Sequence, residues 1–217
     1  FTNSTISFSK KLISKSVKQG HVIKVHSCSS NLPGTFIIYL SIMEQYIKYN
    51  LRYNDVSKEH LPQEWLTFIR ELQSKKYINF IKSLMKVKHI NVTFRWSYTA
   101  RKEAVYPHID KGKIGNHIFY LNTYDDWDPD WGGQTLVLND NGRYNWEDAP
   151  TFDDFDDTIT AEIMGNDSFL FNCKNAWHGV KPVQCPNGHL RKAFFATVYE
   201  AKFLKKIRKI KSFIKPS

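Results

Sequence analysis

The stretch Tyr106-Pro-His-Ile-Asp110 sets a histidine and a carboxylate two positions apart. Residues i and i+2 of an extended backbone point to the same side, so His108 and Asp110 can reach one ion. A second histidine, His178, follows in the stretch Ala176-Trp-His-Gly-Val180. Two histidines and one carboxylate can occupy one face of an octahedral iron and leave its other positions open. The spacing therefore predicts extended segments that face each other and share a metal.

A cation and a phenol further along the chain suit a carboxylate ligand. Arg191 begins the segment Arg-Lys-Ala-Phe-Phe-Ala-Thr-Val-Tyr, and a guanidinium can hold a carboxylate through two parallel hydrogen bonds. Tyr120 shares a predicted strand face with Ile118 and can complete the pocket. Lys192, which points to the opposite strand face, is the alternative cation. The open iron positions can hold a bidentate 2-oxo acid and O2, and the predicted pocket can hold the far carboxylate of that acid.

The sequence around these residues predicts short strands separated by turns. Turn signals occur at Gly132-Gly133, Asn141-Gly142 and Asn187-Gly188. The predicted strands cover residues 91–99, 116–123, 134–139, 167–172, 179–183 and 192–200. Such closely spaced strands indicate a mainly β fold with flanking helices, and a jelly roll (double-stranded β-helix) fits best. Residues 140–160 are expected to form a long acidic loop.

The chain from about residue 33 to residue 87 has a helical pattern. Apolar residues recur there at spacings of three and four, in three groups: Phe36, Tyr39, Leu40, Met43 and Ile47; Trp65, Leu66, Ile69 and Leu72; Tyr77, Ile78, Ile81 and Met85. We interpret the three predicted helices as a support layer. The 217 residues fit a single domain, with helical support in 1–88, a jelly-roll core in 89–200 and a basic amphipathic tail in 201–217.

The number of cysteines and the length of the apolar runs indicate the kind of cellular compartment in which the protein is expected. The chain has three cysteines, and their spacing matches neither a disulfide framework nor a zinc site. This favours a reducing, intracellular location, taken here as the cytoplasm. No apolar run is long enough to span a bilayer. The first 43 residues contain no acid and resemble a transit peptide weakly, but an ordinary basic N-terminal segment is favoured.

The formal net charge of +10 is unevenly distributed. Residues 125–157 contain eleven acids and one basic residue, Arg143, whereas residues 202–215 contain seven basic residues and no acid. Basic proteins can bind polyanions, but the acidic middle makes a nucleic-acid partner less favoured. The apolar positions of the tail have helical spacing, so it could lie on an anionic membrane. Packing against the core or a partner is favoured, and the acidic run 153–157 is one candidate surface.

The segment from Tyr98 to Tyr199 resembles the catalytic core of the prolyl-4-hydroxylase-like Fe(II)/2-oxoglutarate dioxygenases. Order and spacing agree throughout this segment, and the resemblance does not extend to residues 1–85. The matching motifs are Tyr-Pro-His-Ile-Asp at 106–110, His-Ile-Phe-Tyr-Leu-Asn at 117–122, Trp-Gly-Gly-Gln-Thr at 131–135, Ser-Phe-Leu-Phe at 168–171, His-Gly-Val-Lys-Pro-Val at 178–183 and Arg-Lys-Ala-Phe at 191–194.

The resemblance implies a role for each matching residue. His108, Asp110 and His178 match the iron ligands. Arg191 matches the residue that pairs with the C5 carboxylate of 2-oxoglutarate, Tyr120 matches a tyrosine that supports that carboxylate, and Tyr98 matches one that lines the cosubstrate site. The implied cofactors are Fe(II), 2-oxoglutarate and O2, with ascorbate as a stimulant. The interval from His178 to Arg191 is longer than in most relatives, which keeps Lys192 as an alternative.

The reaction implied by the resemblance is hydroxylation of an unactivated C–H bond, with release of succinate and CO2. Asp110 favours hydroxylation because halogenating relatives usually have a small residue there; desaturation and ring closure stay open. The expected substrate is a prolyl residue of a peptide or protein, or an amino-acid-like molecule. The alternatives are an inactive binding or sensing module and an oxygenase that acts on nucleic acid with strongly salt-dependent affinity. A zinc-binding or structural role of the His/Asp set is less favoured.

Overall fold

The structure is a computed structural model that describes residues 22–26, 48–174 and 176–201. Of the N-terminal segment that weakly resembles a transit peptide, only residues 22–26 are described; the first predicted helix and residues 202–217 of the basic tail lie outside the described residues. The division of the chain into 1–88, 89–200 and 201–217 therefore stays a prediction.

Two helices form where the apolar spacing predicts them: α1 (Gln63–Gln73) and α2 (Lys75–Met85). The backbone N–H of Tyr77 donates a hydrogen bond to the side chain of Ser74, which caps α2. The buried residues of the two helices are Trp65, Ile69 and Leu72 in α1 and Tyr77, Ile81 and Met85 in α2. Among the described helices, none has the length and apolar character needed to cross a membrane.

Ten strands in the described residues form two antiparallel sheets. They are β1 (Val22–His26), β2 (Lys48–Arg52), β3 (Ile90–Thr99), β4 (Val105–His108), β5 (Lys113–Tyr120), β6 (Thr135–Asn139), β7 (Asp157–Thr160), β8 (Asp167–Asn172), β9 (Trp177–Val180) and β10 (Arg191–Glu200). The larger sheet has the order β1-β8-β5-β10-β3-β2, and the smaller sheet has the order β4-β9-β6-β7. The predicted mainly β, double-stranded β-helix architecture with flanking helices is confirmed.

The alternation of side chains along the larger sheet separates two cores. On one face, Trp96 of β3 and Phe194 of β10 pack with the buried residues of both helices. On the other face, Ile118 of β5 and Phe195 of β10 pack with Val137 of β6, which belongs to the smaller sheet. This second face is the inner face of the jelly roll, and it carries the residues discussed below.

The six predicted strands are all present, with boundaries that differ by up to a few residues. Four strands were not predicted: β1, β2, β4 and β7. The helical pattern assigned to residues 33–87 is wrong for β2, which pairs with β3 at the edge of the larger sheet. β4 is short and contains Pro107, a residue that argues against a strand in a sequence.

Candidate metal centre and carboxylate pocket

Three side chains with metal-binding atoms meet at one end of the smaller sheet. His108 ends β4 and lies directly opposite His178 of β9 in the strand register. Asp110 follows His108 by two residues, and its Oδ2 lies 3.3 Å from Nε2 of His178. Its Oδ1 lies 3.8 Å from Nε2 of His108. One ligand atom from each of the three residues lies within 4.8 Å of the others, which fits a single metal ion.

Backbone carbonyls fix the orientation of both imidazoles. Nδ1 of His108 lies 2.9 Å from the carbonyl oxygen of Tyr106, and Nδ1 of His178 lies 3.0 Å from that of Ala176. Because a carbonyl can only accept, Nδ1 of each ring is the donor, and Nε2 of each ring is the nitrogen that faces Asp110. This arrangement is the usual way in which a protein orients metal-binding histidines. Two imidazole nitrogens and one carboxylate oxygen are ligands that suit Fe(II).

Two residues of β5 hold the carboxylate of Asp110. Nζ of Lys113 donates to Oδ1 at 2.6 Å, and Nδ2 of Asn116 donates to Oδ2 at 3.3 Å. Burial by itself raises the pKa of Asp110, but the interactions with His178 and Lys113 outweigh it and keep that pKa well below its usual range. The carboxylate is therefore ionised, as a metal ligand must be. The sequence analysis did not identify Lys113 or Asn116.

The environment of His108 also favours the form that binds metals. Burial, and next the proximity of His178, lowers the pKa of His108. The ring of Phe171 lies 5.0 Å from the ring of His178 and gives the metal side of the inner face an apolar wall. A neutral imidazole is thus maintained beside an ionised carboxylate.

A second polar group on the inner face is built around Arg191, the first residue of β10. Its side chain is buried; Nε donates to the carbonyl oxygen of Gly133 at 2.7 Å, and Nη2 donates to Oγ1 of Thr135 at 3.0 Å. The hydroxyl of Tyr120 donates to the same Oγ1 at 2.9 Å. Burial lowers the pKa of Arg191 and raises that of Tyr120. In the described part of the chain, no carboxylate pairs with Arg191.

The two glycines before β6 allow the backbone to approach Arg191. Gly132 and Gly133 have φ values of 79° and 74°, in the left-handed region that disfavours other residues. A Cβ atom at Gly133 would lie 2.9 Å from Cδ of Arg191. Gly133, predicted only as part of a turn signal, therefore also makes room for the side chain of Arg191, whereas a Cβ atom at Gly132 would meet the carbonyl oxygen of Pro182.

The strand register shows where the Arg191 pocket lies relative to His108, Asp110 and His178, the three residues that could hold a metal ion. We call these three residues the metal-binding set. Val137 of β6 lies opposite His178 of β9, and Thr135 lies opposite Val180. Thr135 and Val137 are two residues apart and face the same side, which separates them by about 7 Å. The Arg191 pocket includes Thr135 and is therefore about 7 Å along β6 from Val137, the residue that lies opposite His178. Both groups lie on the same inner face.

Two residues considered in the sequence analysis point elsewhere. Tyr98 packs in the core beneath the helices, together with Trp96, and not in the core that contains Tyr120. The even-numbered residues of β3 face the helices, because side chains alternate along a strand. The structure therefore does not bring Tyr98 to the Arg191 pocket. Lys192 forms an ion pair with Asp126 on the face of β10 opposite to Arg191. The geometry thus favours Arg191 over Lys192 as the cation of the pocket.

His117 of β5 points to the opposite face of the sheet from Tyr120. Its Nδ1 lies 3.0 Å from the hydroxyl of Tyr77 in α2, and the two rings are stacked. Burial lowers the pKa of His117 to about 3. This histidine belongs to the packing of a helix on the sheet and not to the metal-binding set.

The amino-acid sequence of residues 95–199 matches the model of the 2OG-Fe(II) oxygenase superfamily. This range contains every residue of the metal-binding set and of the Arg191 pocket. No curated protein sequence matches the chain.

Solved structures of low sequence identity share the fold. A prolyl 4-hydroxylase structure from Phytophthora capsici is 14% identical with a TM-score of 0.59, over 84% of this chain and 59% of that one. A prolyl hydroxylase from Trichoplax adhaerens, in complex with a hypoxia inducible factor peptide fragment, is 14% identical with a TM-score of 0.55, over 87% and 86%. HygX from Streptomyces hygroscopicus, with nickel and 2-oxoglutarate bound, is 8% identical with a TM-score of 0.56, over 84% and 83%.

Proposed function

We propose that the chain is a member of the 2OG-Fe(II) oxygenase superfamily, whose model matches residues 95–199, and that it hydroxylates an unactivated C–H bond. The proposed substrate is a prolyl residue of a peptide or protein, or an amino-acid-like molecule. One observation carries the proposal: a buried guanidinium without a carboxylate partner, among the described residues, shares the inner face with a three-ligand metal-binding set. Fe(II), 2-oxoglutarate and O2 are the cofactors of such an enzyme, and ascorbate is expected to stimulate it.

The proposed metal ligands are Nε2 of His108, Nε2 of His178 and the carboxylate of Asp110. Fe(II) held by these three residues would supply the chemistry that activates O2, with two electrons taken from 2-oxoglutarate as it is converted to succinate and CO2. The protein contributes the positions of the donor atoms. The carbonyl groups behind the two histidines hold the rings, and Lys113 with Asn116 holds the carboxylate.

Arg191 and Tyr120 are proposed to bind the far carboxylate of 2-oxoglutarate. A guanidinium that is buried without a counter-charge is unfavourable, and a bound carboxylate would supply that charge. Thr135 accepts hydrogen bonds from both residues, so the guanidinium and the phenol are already aligned before the ligand binds. Ile118 and Val137 are buried on the same inner face, and apolar side chains there would limit the access of water to a bound ligand.

We base the proposed substrate class on the resemblance and on the ligands bound in two of the related structures. The Trichoplax relative holds a peptide fragment, and HygX has also been solved with hygromycin B bound. Peptides and small molecules are thus both represented among proteins of this fold. The presence of the complete ligand set with Arg191 favours an enzyme over an inactive binding module.

The proposed function is tested by anaerobic titration of the protein with Fe(II) and then 2-oxoglutarate, followed by exposure to air. We expect a weak visible absorption band when both ligands are bound, and slow formation of succinate after O2 is admitted. The variant His108→Ala should lose both signals, whereas His60→Ala, at an exposed histidine outside the ligand set, should retain them. Metal binding without the band or succinate in the native protein would contradict the proposal.

A further inference from the structure

Two arginines at the edge of the larger sheet have no acidic partner among the residues that the structure describes. Arg52 of β2 and Arg95 of β3 lie directly opposite each other in the strand register, on the inner face. Like charges at opposed positions destabilise a sheet unless another charge compensates them. Within the described ranges, no carboxylate forms a salt bridge with either arginine. In the described part of the chain, the edge therefore holds two positive charges that form no salt bridge.

Arg95 lies at the boundary between the exposed part and the buried part of the inner face of β3. Asn91 and Thr93 are exposed, whereas Ser97 and Thr99 are buried. Arg95 lies between these pairs and is half-buried. A guanidinium at this depth is shielded enough for strong electrostatic interactions and can still be reached by a ligand from solvent.

The guanidinium of Arg95 is held on two sides. It lies over the ring of Phe195, with its Cζ 4.3 Å from the ring centroid, and its Nη1 donates to Oδ1 of Asn50 at 2.9 Å. Its other N–H groups have no hydrogen-bond partner among the described residues. An oriented guanidinium with a free edge matches the geometry of a carboxylate.

The strand register places Arg95 beside the proposed metal centre. Arg95 lies opposite Phe195, and the next residue of β10 on the same face, Thr197, lies opposite Asn116. Asn116 donates a hydrogen bond to Asp110. Because β3 and β5 are separated only by β10, Arg95 is roughly 10 Å across the sheet from Ile118. Asn116 is two residues further along β5, so its Cα atom lies roughly 12 Å from that of Arg95.

The electrostatics of Arg95 agree with this placement. Burial lowers the pKa of Arg95, while the charges of Tyr199 and Asp110 act in the opposite direction. The negative charge of Asp110, a proposed metal ligand, thus acts on the guanidinium of Arg95 and raises its pKa.

The site at Arg95 is separate from the pocket of Arg191. Phe195, which carries the guanidinium of Arg95, is four residues from Arg191 along β10, or about 13 Å. The two guanidiniums thus lie in different parts of the inner face, and a carboxylate held at one leaves the other free.

We propose that Arg95, positioned by Asn50 and Phe195 and assisted by the charge of Arg52, binds a carboxylate of the substrate. This inference rests on the proposed function and narrows its substrate class. The ligand is an α-carboxylate, either of a free amino acid or of the C-terminal residue of a peptide. A carboxylate bound at Arg95 would hold the adjoining C–H bonds of the same residue towards the proposed metal ligands.

The test compares each common L-amino acid with its carboxamide, and each tripeptide Gly-Gly-Xaa with its C-terminal amide. The protein is saturated with Fe(II) and 2-oxoglutarate, and the increase in succinate formation caused by each compound is measured. We expect stimulation only by compounds with a free carboxylate. Stimulation by amino acids or by tripeptides alone would identify the source of the carboxylate.

Variants connect the response to Arg95. Loss of a charge-assisted hydrogen bond raises the concentration needed for half-maximal stimulation about tenfold to a hundredfold in Arg95→Gln. Arg95→Lys should recover part of the response. Arg70→Gln removes a positive charge from exposed α1, where Arg70 contacts Leu66 and Thr67, and should behave like the native protein.

Two results would overturn the proposal while leaving the proposed function intact. One is equal stimulation by acids and amides, and the other is no stimulation by any free carboxylate although the anaerobic Fe(II)/2-oxoglutarate band forms. If the band does not form in the native protein, the proposed function itself fails, and the substrate proposal fails with it. The band recorded for Arg95→Gln reports separately whether metal and cosubstrate still bind to that variant.

Discussion

Burying a guanidinium is unfavourable unless its hydrogen bonds are satisfied and its charge is compensated. Arg191 has hydrogen bonds to Gly133 and Thr135 but no carboxylate partner in the residues that the structure describes. The structure thus retains a buried charge that a bound anion would neutralise. Arg95 repeats this situation at a half-buried position closer to solvent.

Replacing Arg191 with glutamine is expected to weaken 2-oxoglutarate binding by about tenfold to a hundredfold, because a charge-assisted, bidentate interaction is lost. Lys192→Gln is the matched control, since its ammonium faces away and pairs with Asp126. Anaerobic titration of the visible band in both variants gives the two affinities. A larger loss of affinity in Lys192→Gln than in Arg191→Gln would show that the sequence alternative was correct.

Replacing Lys113 with methionine is expected to lower the affinity for Fe(II) by about tenfold to a hundredfold, the usual effect of removing a group that orients a metal ligand. Lys113 donates to Oδ1 of Asp110 at 2.6 Å, so its loss leaves the carboxylate free to rotate. Lys111→Met is the control, because the ammonium of Lys111 lies over the ring of Trp146. Competition with a metal-binding dye measures both affinities, and equal values in the two variants would contradict the role of Lys113.

The sequence predicted that His108, Asp110 and His178 lie together, because the His-x-Asp spacing and the distal histidine have a chemical meaning of their own. It could not predict Lys113 and Asn116, since nothing distinguishes them from other polar residues before the register of β5 is known. Tyr98 was predicted to line the cosubstrate site, but the structure places it in the core beneath the helices. Its distance from His108 matched a family pattern, but the parity of a residue along β3 determines which core it enters.

Among the elements, the turn before β6 connects backbone conformation to ligand binding. Gly133→Ala should weaken 2-oxoglutarate binding, because the added Cβ would lie 2.9 Å from Cδ of Arg191. Gly142→Ala is the control: its φ of +77° imposes similar backbone strain, but nothing lies within 4 Å of the added atom. We expect each variant to lose roughly 1 kcal/mol or more of unfolding free energy.

The two glycine variants are distinguished by ligand affinity and not by stability. Urea unfolding gives the free energy of unfolding of each, and titration with 2-oxoglutarate gives the affinity. Equal affinity for 2-oxoglutarate in Gly133→Ala and Gly142→Ala would contradict the assignment of Gly133 to the pocket.

Elements with a local signal were predicted more accurately than elements that depend on pairing. Both described helices follow from their apolar periodicity, and residues 167–172 form β8 with the predicted boundaries. β2 lies at a sheet edge and owes its extended form to pairing with β3, which no local pattern contains. β4 is only four residues long and includes Pro107, so its strand character arises from its position beside β9.

For the whole molecule, the buried His117 predicts how stability depends on pH. Burial lowers the pKa of His117 from 6.5 to about 3, so the folded protein binds fewer protons than the unfolded chain between these values. The unfolding free energy should therefore fall as the pH drops from 6.5 towards 3, by up to roughly 1.4 kcal/mol per pH unit from this group. Urea unfolding at a series of pH values measures the slope.

His117→Leu removes the titrating group and should make the pH dependence shallower, although the loss of the contact with Tyr77 lowers stability at every pH. His89→Gln, at an exposed position, is the control and should keep the native slope. An unchanged slope in His117→Leu would mean that other groups determine the acid sensitivity of the protein.

We expect the metal-binding set and the Arg191 pocket to form a single site that binds one 2-oxoglutarate molecule. Calorimetric titration of 2-oxoglutarate into the protein, with and without the redox-inert ion Mn(II), tests this directly. If both groups hold one ligand, the metal should raise the affinity for 2-oxoglutarate by roughly tenfold or more, as expected for coupled binding, and His108→Ala should abolish the increase. The same affinity with and without metal in the native protein would contradict the claim.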